Sequence, residues 1–365
     1  MAREINDRLA RLNSRRKGTD RVYQLDESFR SEVIAKSYTQ ESWQKRETAR
    51  QYTQYALGAM QEVDAAYTQK SVDTAARVGK QLEQGLAANG IPVVFRLQGS
   101  VPLNVHIRGV SDVDLLTLAS DFHTYEPGGL RDTLGFYRSP TTRTSLSVLS
   151  NIRSNAETLL KTRYWGATVD CSGGKCISLS GGSLERPVDV VPAHYHDTLD
   201  YQRSGADHDR GVTILNKIIP ETIDNLPFLH IHRVHERDRE LLGGLKMAIR
   251  LAKTVKSDAS NEAGAAKLPS FDIAALMYHA NQDALRIGYH FELAVLEETQ
   301  RFFDWCYRNE GQAALLRTPD GSRAILNTKD KRDGLLTISS ELDDLANAVR
   351  VEQLGNLRKV IPKAA

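Results

Sequence analysis

Apolar residues recur at helical spacing through most of the first ninety positions, so the chain is expected to open as helix. From Glu41 to Thr68 there is no proline and one glycine, and Ala56, Met60 and Val63 share a face, which predicts one long helix. A second is expected from about Val72 to Leu86, stopped by Asn89-Gly90. The pattern then changes. Pro92-Val93-Val94-Phe95-Arg96-Leu97 is a short β-rich run, and after a Gly-Ser turn and a polar loop a second strand is expected from Asp112 to Leu118. Residues 120–140 read as a loop insertion in which Gly128 and Gly129 allow hinging. A helix from about Ser145 to Thr162 precedes short strands near 167–169, 176–179 and 187–191. Beyond residue 220 the strand pattern fades. Leu241, Leu245, Ala248, Ala252 and Val255 form one helical stripe, with further helices near 271–280, 291–308 and 339–351, and 257–266 reads as a mobile linker. The expected class is α+β: an N-terminal helical segment (1–45), a mixed-sheet core led by a long helix (46–220) and an all-helical lobe (221–365).

Composition narrows the function classes. With 41% hydrophobic and 26% charged residues in 365, the chain is neither disordered, collagenous nor a coiled coil. A net charge of +2 gives no general affinity for nucleic acid, so any phosphate chemistry must come from local clusters. No apolar run approaches the ~20 residues of a membrane span, and the start lacks a hydrophobic signal core. A cytoplasmic protein without membrane contact is therefore expected. Three cysteines cannot build a disulfide framework; Cys171 and Cys176 invite a zinc reading, but no neighbouring pair has ligand spacing, and a turn at Gly173-Gly174 is the plainer alternative. His194, His196 and the His230-Ile231-His232-Arg233-Val234-His235 run read as structural, and Arg15-Arg16-Lys17 as a solvated tail.

The informative pattern is Gly99-Ser100, eleven residues, then Asp112-Val113-Asp114, and later Pro187-Val188-Asp189-Val190-Val191. On a strand, Asp112 and Asp114 emerge on one side, ~7 Å apart. Asp189 sits on another strand with Val188 and Val190 behind it. If the strands are neighbours, three carboxylates share a patch, repel one another, and call for divalent cations. Two Mg²⁺ ions, or Mn²⁺, would suit such an oxygen-rich site and support phosphoryl transfer. Gly99 lets backbone approach a ligand, and Ser100 can grip phosphate oxygens.

This order of motifs resembles the polymerase-β-like nucleotidyltransferase superfamily. Within it the chain is similar to the CD-NTases, bacterial relatives of oligoadenylate synthases and cyclic GMP-AMP synthase. Ser111-Asp112-Val113-Asp114-Leu115-Leu116 and Pro187–Ala193 carry the likeness, with Leu245–Lys253 and Lys267-Leu268-Pro269-Ser270-Phe271 further on. The resemblance implies a nucleotidyltransferase core and a helical lobe with the active site in the cleft between them. It implies catalytic and metal-binding roles for Asp112, Asp114 and Asp189, and nucleotide binding by Gly99 and Ser100. Lys246, Arg250 and Lys253 share one helix face by their spacing; the resemblance implies that Arg250 and Lys253 hold the donor triphosphate, while Ser270 and Phe271 meet the donor base. Phe271 replaces the commoner tyrosine, and core packing with Ile273 and Met277 is its other reading. The implied activity joins nucleoside triphosphates (ATP, GTP or both) into a cyclic di- or trinucleotide with release of pyrophosphate. Bacterial antiphage signalling of CBASS type, with accessory proteins, follows from the same likeness. No zinc-ribbon insertion is present, so a nucleic-acid activator is not expected. An enzyme extending RNA or tRNA, and a non-catalytic nucleotide sensor, are the alternatives.

Overall fold

This computed structural model describes residues 4–20, 27, 30, 41–139 and 141–360. Helix α1 (Ile5–Lys17) buries Ile5, Leu9 and Leu12 along one stripe. The helix expected from Glu41 to Thr68 is instead a 3-10 turn (Ser42–Lys45), α2 (Gln51–Met60) and the first turn of α3 (Ala65–Ala88). The break falls just before α3 because the Asp64 carboxylate accepts hydrogen bonds from the Ala66 and Tyr67 amides and starts a new helix. Apart from residues 27 and 30, the expected helical stretch over 21–40 lies outside the described residues.

Among the described residues, seven strands form one mixed sheet: β1 (Val93–Gln98), β2 (Val113–Tyr125), β3 (Thr168–Asp170), β4 (Ile177–Ser180), β5 (Val188–Asp197), β6 (Gly211–Asn216) and β7 (Glu221–Asn225). Their order is β1-β2-β5-β4-β3, with β6 pairing the far half of β5 and β7 beyond it. The central pair, β2 and β5, is parallel and places Asp114 opposite Asp189. Two expectations are corrected here. Residues 120–125 are strand rather than loop, joined to β2 through a bulge between Ala119 and His123. Strands also continue past residue 220, because β7 pairs with β6 despite carrying little apolar pattern of its own.

Helices α3 and α4 (Ser145–Arg163) cover one sheet face, where Val78, Leu82, Ile152 and Ala156 meet Val113, Leu115, Val188 and Val190. On the other face Leu116, Leu118, Val191 and Ala193 pack with Phe228 of α5 (Pro227–Glu240). The alternation that buries Val113 and Leu115 on the first face turns Asp114 toward the second. The helical lobe follows with α6 (Gly244–Asp258), α7 (Ser270–Met277), α8 (Leu293–Arg308) and α9 (Lys329–Val360). Leu245, Ala248, Ala252 and Val255 form the expected buried stripe on α6, but Leu241, also buried, is not on it: it caps the end of α5, and the Leu242-Gly243 turn separates the two helices.

The expected chain intervals do not correspond to separate cores. Ile5, Leu9, Leu12, Trp43 and Tyr55 share one core with α6 to α9, so the start of the chain packs into the helical lobe. Arg15 is correspondingly no solvated residue. Its guanidinium makes two hydrogen bonds to Asp258, 2.6 and 2.7 Å long, and the Tyr55 hydroxyl donates to the same carboxylate at 2.8 Å. A buried charge persists when it is paired and bonded in this way. The 257–266 stretch is also built in. Asp258 ends α6, Ser260 donates to Glu341 and Asn261 caps a short helix, Glu262–Ala266.

Candidate active site

Where the central strands begin, β1 ends in the Gly99-Ser100 turn and β2 and β5 bring in carboxylates. Gly99 has φ 78, and a Cβ there would lie 2.1 Å from Asp114 Oδ2, so only glycine lets this turn pass the carboxylate. Asp112 stands immediately before β2 rather than within it, after a loop in which the Ile107 amide donates to the Ser111 hydroxyl. Asp114 is on β2 and Asp189 on β5, directly opposite each other.

Two cavities meet here and share Val110, Asp112 and Asp189. The smaller, ≈ 350 Å³, is also lined by Gln98, Gly99, Ser100, Asp114, Asn225, His230, Lys253, Ser270 and Phe271. The larger, ≈ 610 Å³, runs past Arg11, Ser14 and Arg15 of α1 and past Ser178 and Ser180 of β4. The fold therefore assembles the three carboxylates, the Gly-Ser turn, Lys253, Ser270 and Phe271 around one cleft. Arg250 lines neither cavity. It donates to the Met60 and Asn104 carbonyls at 2.7 and 2.9 Å, tying the end of α2 and the loop before β2 to α6.

Electrostatics mark the cleft. Burial, together with Asp189 and Asp112, pushes the Asp114 carboxyl up to about 7. Burial pulls Lys253 down to about 7, helped by Lys256 and opposed by Asp114. Its ammonium is held by the Val105 carbonyl at 2.7 Å. This chemistry fits a hard divalent cation, because three oxygen donors carry mutual repulsion that one buried lysine does not cancel. Among the described residues, however, no three His, Cys, Asp or Glu side chains are drawn together as a ready metal cluster. The carboxylates are neighbours without converging on a point.

Phe271 is 38% exposed and faces the cavity, whereas Ile273 and Met277 are fully buried. Its ring stacks on His230 of α5, with centroids 4.3 Å apart, and Arg323 lies over it at 5.3 Å. The sequence reading missed His230 and Asn225 as cavity residues. Periodicity carried no sign of β7, and a histidine run in a helix does not announce which ring faces a cleft. His194 and His196 lie off the cavities, bonded to the Tyr195 carbonyl and to Thr124. Cys171 and Cys176 flank the turn between β3 and β4 as free thiols.

Two buried histidines make the fold sensitive to acid. Burial pushes His106 and His230 down to about 4, so both are neutral when folded and protonate near 6.5 when unfolded. The unfolded chain then binds more protons between those values, and stability is lost as pH falls from 6.5 toward 4. Urea unfolding at pH 6.5 and 5 is expected to show a loss on the order of 2 kcal/mol per histidine. His230→Phe, which keeps the stack, should remove its share of that dependence.

No family model matches the chain. A cyclic dinucleotide synthase, CdnE, of Yersinia aleksiciae is 39% identical over 358 residues, covering 95% of this chain and 91% of that one. A c-di-GMP synthase of Lachnospiraceae bacterium (strain RUG226) is 32% identical over 244 residues, covering 61% and 68%. The solved STING-associated CdnE c-di-GMP synthase from Capnocytophaga granulosa has the same fold, with a TM-score of 0.71 at 24% identity, covering 96% of this chain and 100% of that one. Its counterpart from Flavobacteriaceae sp. superposes with a TM-score of 0.68 at 23% identity, covering 85% and 89%.

Proposed function

Because this chain belongs to the CdnE family of cyclic dinucleotide synthases, and so is a nucleotidyltransferase, we propose that its cleft joins two nucleoside triphosphates into a cyclic dinucleotide second messenger. The observation that carries this reading is the in-register pairing of Asp114 with Asp189 where two cavities meet beside Asp112. Two cavities on one set of carboxylates suit a reaction between two nucleotides. GTP is proposed among the substrates, since the Lachnospiraceae relative is a c-di-GMP synthase. A role in antiphage signalling, with accessory proteins, is part of the same proposal.

The smaller cavity takes the donor nucleotide. Phe271, exposed at the cavity and packed between His230 and Arg323, meets the base. Amides after Gly99 and the Ser100 hydroxyl meet the triphosphate, and Lys253 faces it from α6. A tetra-anion entering beside Lys253 restores the proton that burial weakens. Arg250 acts at one remove, by fixing the Asn104 carbonyl and the loop that carries Ser100 and Asp112. Asp112, Asp114 and Asp189 would hold Mg²⁺ or Mn²⁺, which when bound neutralises their charge and acidifies a coordinated hydroxyl. Asp189 orients the ribose hydroxyl of the acceptor and takes its proton. The hydroxyl oxygen bonds to the α-phosphorus as the bond to pyrophosphate breaks. A second round on the linear intermediate closes the ring.

Incubation with all four NTPs and Mg²⁺, followed by chromatography and mass spectrometry, tests the proposal. Expected are pyrophosphate and a small phosphatase-resistant cyclic product. Label transferred into added tRNA, with no small product, would instead support the RNA-extending alternative. Phe271→Ala should raise the KM for the donor about 5- to 150-fold, the equivalent of the about 1–3 kcal/mol carried by one stacked base. An unchanged KM would remove Phe271 from the base site.

A further inference from the structure

The register of the sheet continues past the carboxylates. Asp114 on β2 pairs with Asp189 on β5, and Asp189 in turn pairs with Ser178 on β4. Residues opposite one another in a pleated sheet project to the same face. Ser178 therefore points into the cleft beside Asp189, and its hydroxyl donates to Asp189 Oδ1 at 2.6 Å. The other neighbour of that hydroxyl is the Cys176 thiol at 3.6 Å, a weak partner. A charge-assisted bond of this length outweighs the thiol contact and holds the carboxylate in one rotamer. Ser178 also lines the larger cavity, the side from which the acceptor would approach.

We propose that Ser178 is a positioning residue for Asp189. By occupying Oδ1, the hydroxyl fixes the plane of the carboxylate, with the Cys176 thiol as a weaker second neighbour of Asp189. The inference rests on the role given to Asp189 above. Carboxylates that bind cations work best when a neighbour orients them, and loss of such a partner typically costs about 10- to 100-fold in metal affinity or activity. The side chain is half-buried on a short strand, so its removal leaves the cores of the fold intact.

The experiment compares Ser178→Ala and Ser178→Thr with the wild type in two readouts. One is kcat and KM for cyclic dinucleotide formation; the other is Mn²⁺ binding, followed by paramagnetic resonance of the free ion without nucleotide. Ser178→Ala is expected to lower kcat about 10- to 100-fold and weaken Mn²⁺ binding, with donor KM within about twofold. Ser178→Thr, which keeps the hydroxyl, should recover most of both. A folded Ser178→Ala protein with wild-type kcat and Mn²⁺ affinity would overturn the inference, as would a rise in KM at constant kcat. Asp114→Asn serves as the reference: if it keeps turnover, the reading of the carboxylates itself fails, whereas an inactive Asp114→Asn beside an unaffected Ser178→Ala removes only the role of Ser178.

Discussion

The Asp112→Asn, Asp114→Asn double variant is expected to release no pyrophosphate from ATP or GTP above background, a loss of at least about 10³-fold, and yet to melt at a higher temperature than the wild type. The first effect follows from removing two of the three anionic donors that face the cleft. The second follows from the repulsion among the carboxylates themselves. Asp114 is pushed up to about 7 by burial and by Asp189 and Asp112, so folding is penalised wherever it must carry charge. The folded protein binds the extra proton between the ordinary carboxyl value and about 7, and stability therefore falls as pH rises through that range. Asparagine keeps the shape and removes the charge. Without divalent cations at pH 8, a gain of at least about 2 °C is expected, since about 1 kcal/mol moves a chain of this size by roughly 1 °C and the charge on Asp114 costs more than that. Added Mg²⁺ should stabilise the wild type and leave the double variant unmoved. A double variant that turns over NTPs, or melts lower without Mg²⁺, would refute the assigned role of the pair.

Gly99→Ala is expected to lower kcat/KM by roughly 10²-fold through a single methyl group. That methyl would sit 2.1 Å from Asp114 Oδ2 and 3.0 Å from its Cγ, so the carboxylate or the turn must move. Displacement of a reacting group by about 1 Å is enough for such a loss. Backbone strain contributes separately, because alanine at φ 78 costs about 1–2 kcal/mol of stability. Gly90→Ala separates the two effects. Gly90 also has positive φ, at 71, but nothing lies within 4 Å of the added Cβ. It should lose comparable stability and no activity. Equal losses of activity in both variants would mean that strain alone, and not contact with Asp114, explains the need for glycine at position 99.

The carboxylates were legible in the chain because strand alternation is a local property. Val113 and Leu115 must face a core, which turns Asp114 the other way, and the same holds for Asp189 between Val188 and Val190. The glycine before Ser100 was equally plain, as was the buried stripe of α6. The ends and breaks of elements were not legible. Asp64 restarts a helix through a capping bond, and β7 exists because β6 offers it an edge to pair with.

Lys253 and Arg250 show the limit most clearly. Helical spacing puts both cations on one face of α6, and nothing in the spacing separates them. Depth and neighbours do: Lys253 lines the cleft with Asp114, while the Arg250 guanidinium lines neither cavity and donates to the Met60 and Asn104 carbonyls. Arg15 was misjudged for the same reason, since its partner Asp258 lies far along the chain. Ser178 gave no signal at all until β4 was laid against β5. The amino-acid order settles which side of an element a residue occupies, because that depends on backbone periodicity alone. Which partner it meets there is settled by contacts between distant segments, and burial and bond geometry then assign its chemistry.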